Sequence, residues 1–421
     1  KNNFFIFNLI FYLIFCFTFA VNANEMFNFN VSEIEITDNG NKIKGIKRGK
    51  ISTNEALTIE ADTFEFDKAR NLLVAEGNIK INEKEQDIII LADKIFYNKN
   101  KEIITGEGNI KINEKEQDII ILADKIFYNK NKEIITGEGN ISYLNNSIEI
   151  EANKFKYIKD KKIVIAEENV LAKDNLKDLI ILSDRITYFK TQEKILTEGI
   201  TKAAIHSEYE FVSKNVSYKI QQKELSSNHK TKIIQNSKKL LEFKKFKFNI
   251  EQELLKAENI FFNDNIRNLK GHSNSLFFKD AFFDLKNKEF IAGKTEIQLE
   301  KESFNNFDND PRLKGASSSS NNGITTIEKS TFTSCKKTDK CPPWIIQADK
   351  ITHDKNKKQL IYDDALLKIY DVPVFYFPKF FHPDPSVERQ SGFLQPKLSN
   401  SKTLGSSFSL PYFHVISDNK D

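Results

Sequence analysis

Residues Glu76 to Gly106, EGNIKINEKEQDIIILADKIFYNKNKEIITG, are followed without a gap by a second copy, Glu107 to Gly137, identical at every position. This duplication narrows the folding options more than any other feature. A closed globule is disrupted by an extra copy of a folded segment, whereas a stack whose units touch only their neighbours simply lengthens. A third copy from Glu138 has diverged, and fainter ones start at Glu167 and Glu198. Ile59–Ala75 reads as the second half of a unit preceding the first. One array from about Ile34 to Gln298 is expected.

Within a copy the pattern has period two. From Ile104 to Ile112 the even positions are apolar or Gly and the odd ones polar, as a half-buried strand requires. Asp87 to Asn98 reads as a second strand whose apolar face changes near Ala92-Asp93, where a bulge or corner is expected. The polar tetrads Glu83–Gln86 and Asn98–Lys101 are placed as hairpin turns. Ile79, Ile81, Phe96, Ile110, Ile112 and Phe127 are expected to face inward. Period alone leaves open whether that interior is a groove for an apolar ligand or a core filled by its own side chains.

Other segments frame the array. Residues 1–23 read as an export signal cleaved after Ala23, with an uncleaved anchor as the alternative: a basic start, an apolar run from Phe4 to Ala20, and the small-residue exit Val21-Asn22-Ala23. The repeat array is assigned to 24–304, and a flexible linker with a cysteine pair to 305–343, because Asn305 to Gly323 is rich in Asn, Asp, Ser and Gly without apolar period. Trp344 to Lys368 resumes the repeat grammar, so 344–390 is read as terminal strands. Cys16 lies within the signal, leaving Cys335 and Cys341 in an oxidising compartment, where they pair with each other or with cysteines further along. They lack the companion ligands of a zinc site.

Composition excludes some functions. With 39% apolar and 29% charged residues, the chain suits a folded, water-exposed protein rather than a helical membrane bundle. Basic and acidic residues, 63 against 59, nearly cancel, so no nucleic-acid partner is expected. The lysines at 238, 239, 244, 245 and 247 are read as solvated strand edges and loops rather than an anion site. There is no GxSxG elbow, HExxH pair or phosphate-binding glycine loop, and the six histidines are scattered singly. Neither catalysis nor a cofactor is expected.

From Val372 the chain reads VPVFYFPKFFHPDPSVERQSGFLQP. This run is similar to the junction between periplasmic domain and barrel in the LptD (OstA, organic solvent tolerance) family of lipopolysaccharide-assembly proteins. The repeats resemble the OstA-type β-jellyroll shared by LptA, LptC and the periplasmic domain of LptD. The resemblance implies an all-β chain: a V-shaped antiparallel jellyroll in the periplasm, then, over 391–421, the first strands of an outer-membrane β-barrel. It implies that the jellyroll takes lipopolysaccharide from an LptA-like periplasmic bridge, and that a barrel plugged by an LptE-like lipoprotein releases it into the outer leaflet. Pro396 and Pro411 match the prolines that loosen the family's lateral gate, although ordinary strand ends also carry proline. Family members also use disulfides between periplasmic domain and barrel. Rival readings are a soluble LptA-like bridge and a secreted β-repeat adhesin.

Overall fold

The computed structural model describes residues 27–53, 57–235, 239–263, 275–299, 310–338, 342–383, 387, 391–393, 397–401 and 405–416. These residues form antiparallel strands, with two three-residue 3-10 turns as the only helical elements among them. They fall into two compact units, divided at 161/162. The division lies inside the stretch expected as one array. In a stack of similar rungs, contact density need not follow composition.

In the first unit each repeat supplies two long strands, as expected: Leu72–Glu83, Ile88–Asn98, Ile103–Glu114, Ile119–Asn129, Ile134–Asn145 and Ile148–Ile158 pair in succession. The turns occupy 84–87 and 99–102, one residue past the expected tetrads. Left-handed backbone at Asp87 and Glu102 closes them.

Each of these long strands of the first unit has two limbs separated by a register shift. Opposite Leu91 to Lys94 the neighbouring strand carries one residue more, between Lys111 and Glu107. Burial along Ile88–Asn98 accordingly switches from even to odd positions, from Ala92 to Ile95. This is the corner anticipated at Ala92-Asp93. Gly108 sits there at φ +76°, and a Cβ on it would lie 2.5 Å from Asp93 Oδ2. Asn109, also left-handed, donates to Asp93 Oδ2 at 2.7 Å. Glu107 pairs with Lys125 at 2.8 Å. The recurrent EGN and ADK triplets are thus one device tying three strands at the corner. Asp62, Gly77 and Asn78, and Asp124, Gly139 and Asn140, repeat it.

In the second unit the copies fade and the strands break up. Ile163–Asp174, Leu179–Phe189 and Lys194–Ile205 remain long; Tyr209–Lys214 and Ser217–Lys219 are separate halves of one rung. The linker expectation fails for the described part of 305–343. Arg312–Gly315, Ser317–Asn321 and Ile324–Thr333 are strands, paired on both sides. Serine is small enough to lie against a neighbouring strand: Ser318 is buried and its hydroxyl is 2.7 Å from that of Thr295. Trp344–Asp354 and Gln359–Ile369 continue the sheet as read, and Val372–Pro383 pairs with the latter. Beyond, Lys397–Ser401 pairs with Gly405–Ser409, and Gly392–Phe393 with Tyr412–Phe413, in nearly one register. They are two separate two-stranded ladders.

Candidate lipid-binding interior

The apolar face of the first unit is continuous from strand to strand. Ile81 opposes Ile90, Ile90 opposes Ile112, and Ile112 opposes Ile121, each at most 1% exposed. Past the corner, on the second limb, Ile95 opposes Gly106 and Gly106 opposes Ile126. A Cβ at Gly106 would lie 2.9 Å from Ile110 Cδ1, so this glycine makes room for the isoleucines around it. Each buried isoleucine contributes about 1.5–3 kcal/mol through removal from water.

Of the six residues expected inside, Ile79, Ile81, Ile110 and Ile112 are buried. Phe96 and Phe127 are not. Phe127 is 40% exposed and Phe96 half-buried, both on the outer face, where Lys125 and Lys94 lie over their rings. The corner shifts parity by one, so Tyr97 and Tyr128 take the inward positions. Their hydroxyls make tyrosines the less obvious choice for a core.

The interior of this unit is filled by its own side chains. It is closed on one side by the corners and on the other by contacts between the far ends of the two limbs. The first limb ends in a row running Glu83, Ile88, Glu114, Ile119 and Asn145, with all five buried. The second ends in Leu73, Tyr97, Ile104, Tyr128 and Ile135, also buried. Lys130 bridges Glu83 and Glu102, 3.2 Å from each. Tyr157 donates to Glu114 at 2.9 Å, and Lys159 reaches the Gln86 carbonyl and side chain at 2.5 and 2.8 Å. Burial pushes the Glu83 carboxyl up, and the Lys130 ammonium reverses only part of that. The Tyr97, Tyr128 and Tyr157 hydroxyls are likewise pushed well above the usual range, first by burial and then by nearby carboxylates.

These rim residues were missed from the sequence. Glu83 shares parity with Ile79 and Ile81, a carboxylate on an apolar face, and that was the available signal.

The remaining expected sites lie elsewhere or outside the described residues. Cys335 is half-buried with its thiol 3.7 Å from the Trp344 carbonyl, whereas Cys341, Pro396 and residues 1–23 fall outside them. Pro411 is half-buried, between the strands Gly405–Ser409 and Tyr412–Phe413. Lys245 and Lys247 are solvated and pair with Glu258 and Glu224, but Lys245–Asn249 is paired on both sides, so they do not lie at a sheet edge.

No family model matches the chain. The LPS-assembly protein LptD of Legionella pneumophila (strain Paris) is 34% identical to it over 95 residues, 23% of this chain and 11% of that protein. The LptD proteins of Yersinia enterocolitica and Hahella chejuensis are 36% and 35% identical over 100 and 105 residues, 12% and 13% of their length. Among solved structures, LptH, described as the LptA homologous periplasmic component of the lipopolysaccharide transport device of Pseudomonas aeruginosa, is 17% identical. It has a TM-score of 0.25 and covers 27% of this chain and 82% of that one. The chain thus carries LptD-like sequence over 23% to 25% of its length, matching a stretch that makes up 11% to 13% of those relatives.

Proposed function

We propose that this chain is the front part of an outer-membrane lipopolysaccharide-assembly protein. Its jellyroll-like array lies in the periplasm, accepts lipopolysaccharide acyl chains from an LptA-like bridge against its continuous isoleucine face, and passes them to a barrel plugged by an LptE-like lipoprotein. Residues 391–421 are the start of that barrel, and Pro396 and Pro411 are its lateral-gate prolines. The observation that carries this reading is the combination of LptD-like sequence with an apolar face unbroken across successive rungs. An acyl chain needs such a face, because its transfer from water is favourable in proportion to the apolar area covered.

The two antiparallel ladders after residue 391 favour this reading over a soluble bridge, as does Val372–Pro383, which exposes aromatic rings on both faces ahead of them. The full-length protein should sediment with outer membranes on a density gradient. Recovery in the soluble periplasmic fraction would favour the LptA-like alternative.

A further inference from the structure

We propose that the polar contacts along the free rim of residues 27–161 form a releasable seam that holds the two limbs closed over the isoleucine face, and that acyl chains enter when it parts. The seam itself stands on geometry; only its cargo rests on the function proposed above. Each rung is closed at one side by the corner, where the chain is continuous and cannot separate. At the other side nothing covalent joins the limbs.

What spans that side is side-chain chemistry with equivalents in water: Lys130 to Glu83, Tyr157 and Lys159 to Glu114, Lys159 to Gln86, and Gln86 to Glu133. The partners lie far apart in sequence, 43 residues for Tyr157 with Glu114 and 73 for Lys159 with Gln86. The second unit repeats these spacings independently, with 44 for Tyr218 with Asp174 and 74 for Lys177 with Glu251. Recurrence on diverged copies marks a built feature of the stack.

The closed state is also incompletely satisfied. Glu83 Oε1 and the Tyr128 hydroxyl are buried without hydrogen-bond partners. Water supplies such partners once the rim parts, which offsets part of the cost of exposing isoleucine. An all-apolar rim would gain nothing on opening.

The test uses the full chain with Cys16, Cys335 and Cys341 replaced by Ser and one buried reporter at a time: Ile112→Cys beside the rim, or Ala92→Cys beside the corner. Without lipid, the combined change Glu83→Gln, Glu114→Gln, Lys130→Met and Lys159→Met should speed maleimide labelling of Ile112→Cys by about tenfold, since labelling follows the population of the locally open form. Labelling of Ala92→Cys should be unchanged. Tyr157→Phe alone, which deletes one hydroxyl and no charge, should give a smaller rise at Ile112→Cys only. An unchanged rate at Ile112→Cys, or equal rises at both reporters with Tyr157→Phe, overturns the seam. Lipid capture is measured separately: a responsive seam with no captured lipopolysaccharide would sink the proposed cargo and leave the seam standing.

Discussion

Ile119–Asn129 and Val372–Pro383 are both apolar antiparallel strands, yet the first buries alternate side chains on either side of its corner while the second leaves Phe375 63% and Tyr376 57% exposed, on opposite faces. The difference lies in what faces them. The first belongs to a rung whose two limbs lie against each other, as the contact of Lys130 with Glu83 shows. Val372–Pro383 has a neighbour in its own sheet, and its exposed rings show that no second limb covers it among the described residues. Period two creates an apolar face; a facing limb is what makes it a core. A strand apolar on both faces suits apolar surroundings, which agrees with the membrane junction proposed for it.

The largest expected effect separates the two strands directly. Ile112→Ala should destabilise the first unit by about 2–5 kcal/mol in denaturant unfolding, because the closed interior cannot collapse around the lost atoms. Phe375→Ala should change stability by about 0.5 kcal/mol or less. Comparable losses would break the contrast. Next comes Gly108→Ala at the corner, where both the left-handed backbone and the Asp93 carboxylate oppose a methyl group; a cost of about 1–3 kcal/mol is expected. Gly199 in the fading copies has φ +83° with nothing within 4 Å, so Gly199→Ala should cost less.

The smallest effect concerns the rim. The folded pKa of Glu83 is raised above its ordinary value of 4.5, so its ionised form opposes folding. That opposition is absent below the unfolded carboxylate range and complete above the raised folded value. Lys130 attracts the charge, while Glu85 and Glu102 repel it. Stability of the parent protein relative to Glu83→Gln should therefore fall as pH rises through this window, as followed by thermal melting. A difference that does not vary with pH would mean that Glu83 is solvated.

Much of the fold was legible because period two, turn tetrads and the parity change at Ala92-Asp93 are local signals. What escaped depends on distant partners. Phe96 is expected inside from the sequence, but the parity set by the corner decides which ring turns inward, and it selects Tyr97. The Tyr97 hydroxyl is accommodated there because Glu102, across the turn, accepts its hydrogen bond at 2.6 Å. Ser317–Asn321 looked like linker because its own composition favours turns. Its strand form is imposed by Glu289–Ala292 and Ile324–Thr333 on either side. The rim seam joins residues more than forty apart, and no local pattern announces such pairs.

The proposed role of the interior is tested most directly by placing a photo-crosslinking residue at Ile79, Ile110, Phe96 or Phe127 in cells making lipopolysaccharide. Adducts with lipopolysaccharide are expected from Ile79 and Ile110, on the inner face, and not from Phe96 and Phe127, on the outer one. Adducts from the phenylalanine positions alone, or isoleucine positions that join only to neighbouring strands, would contradict it.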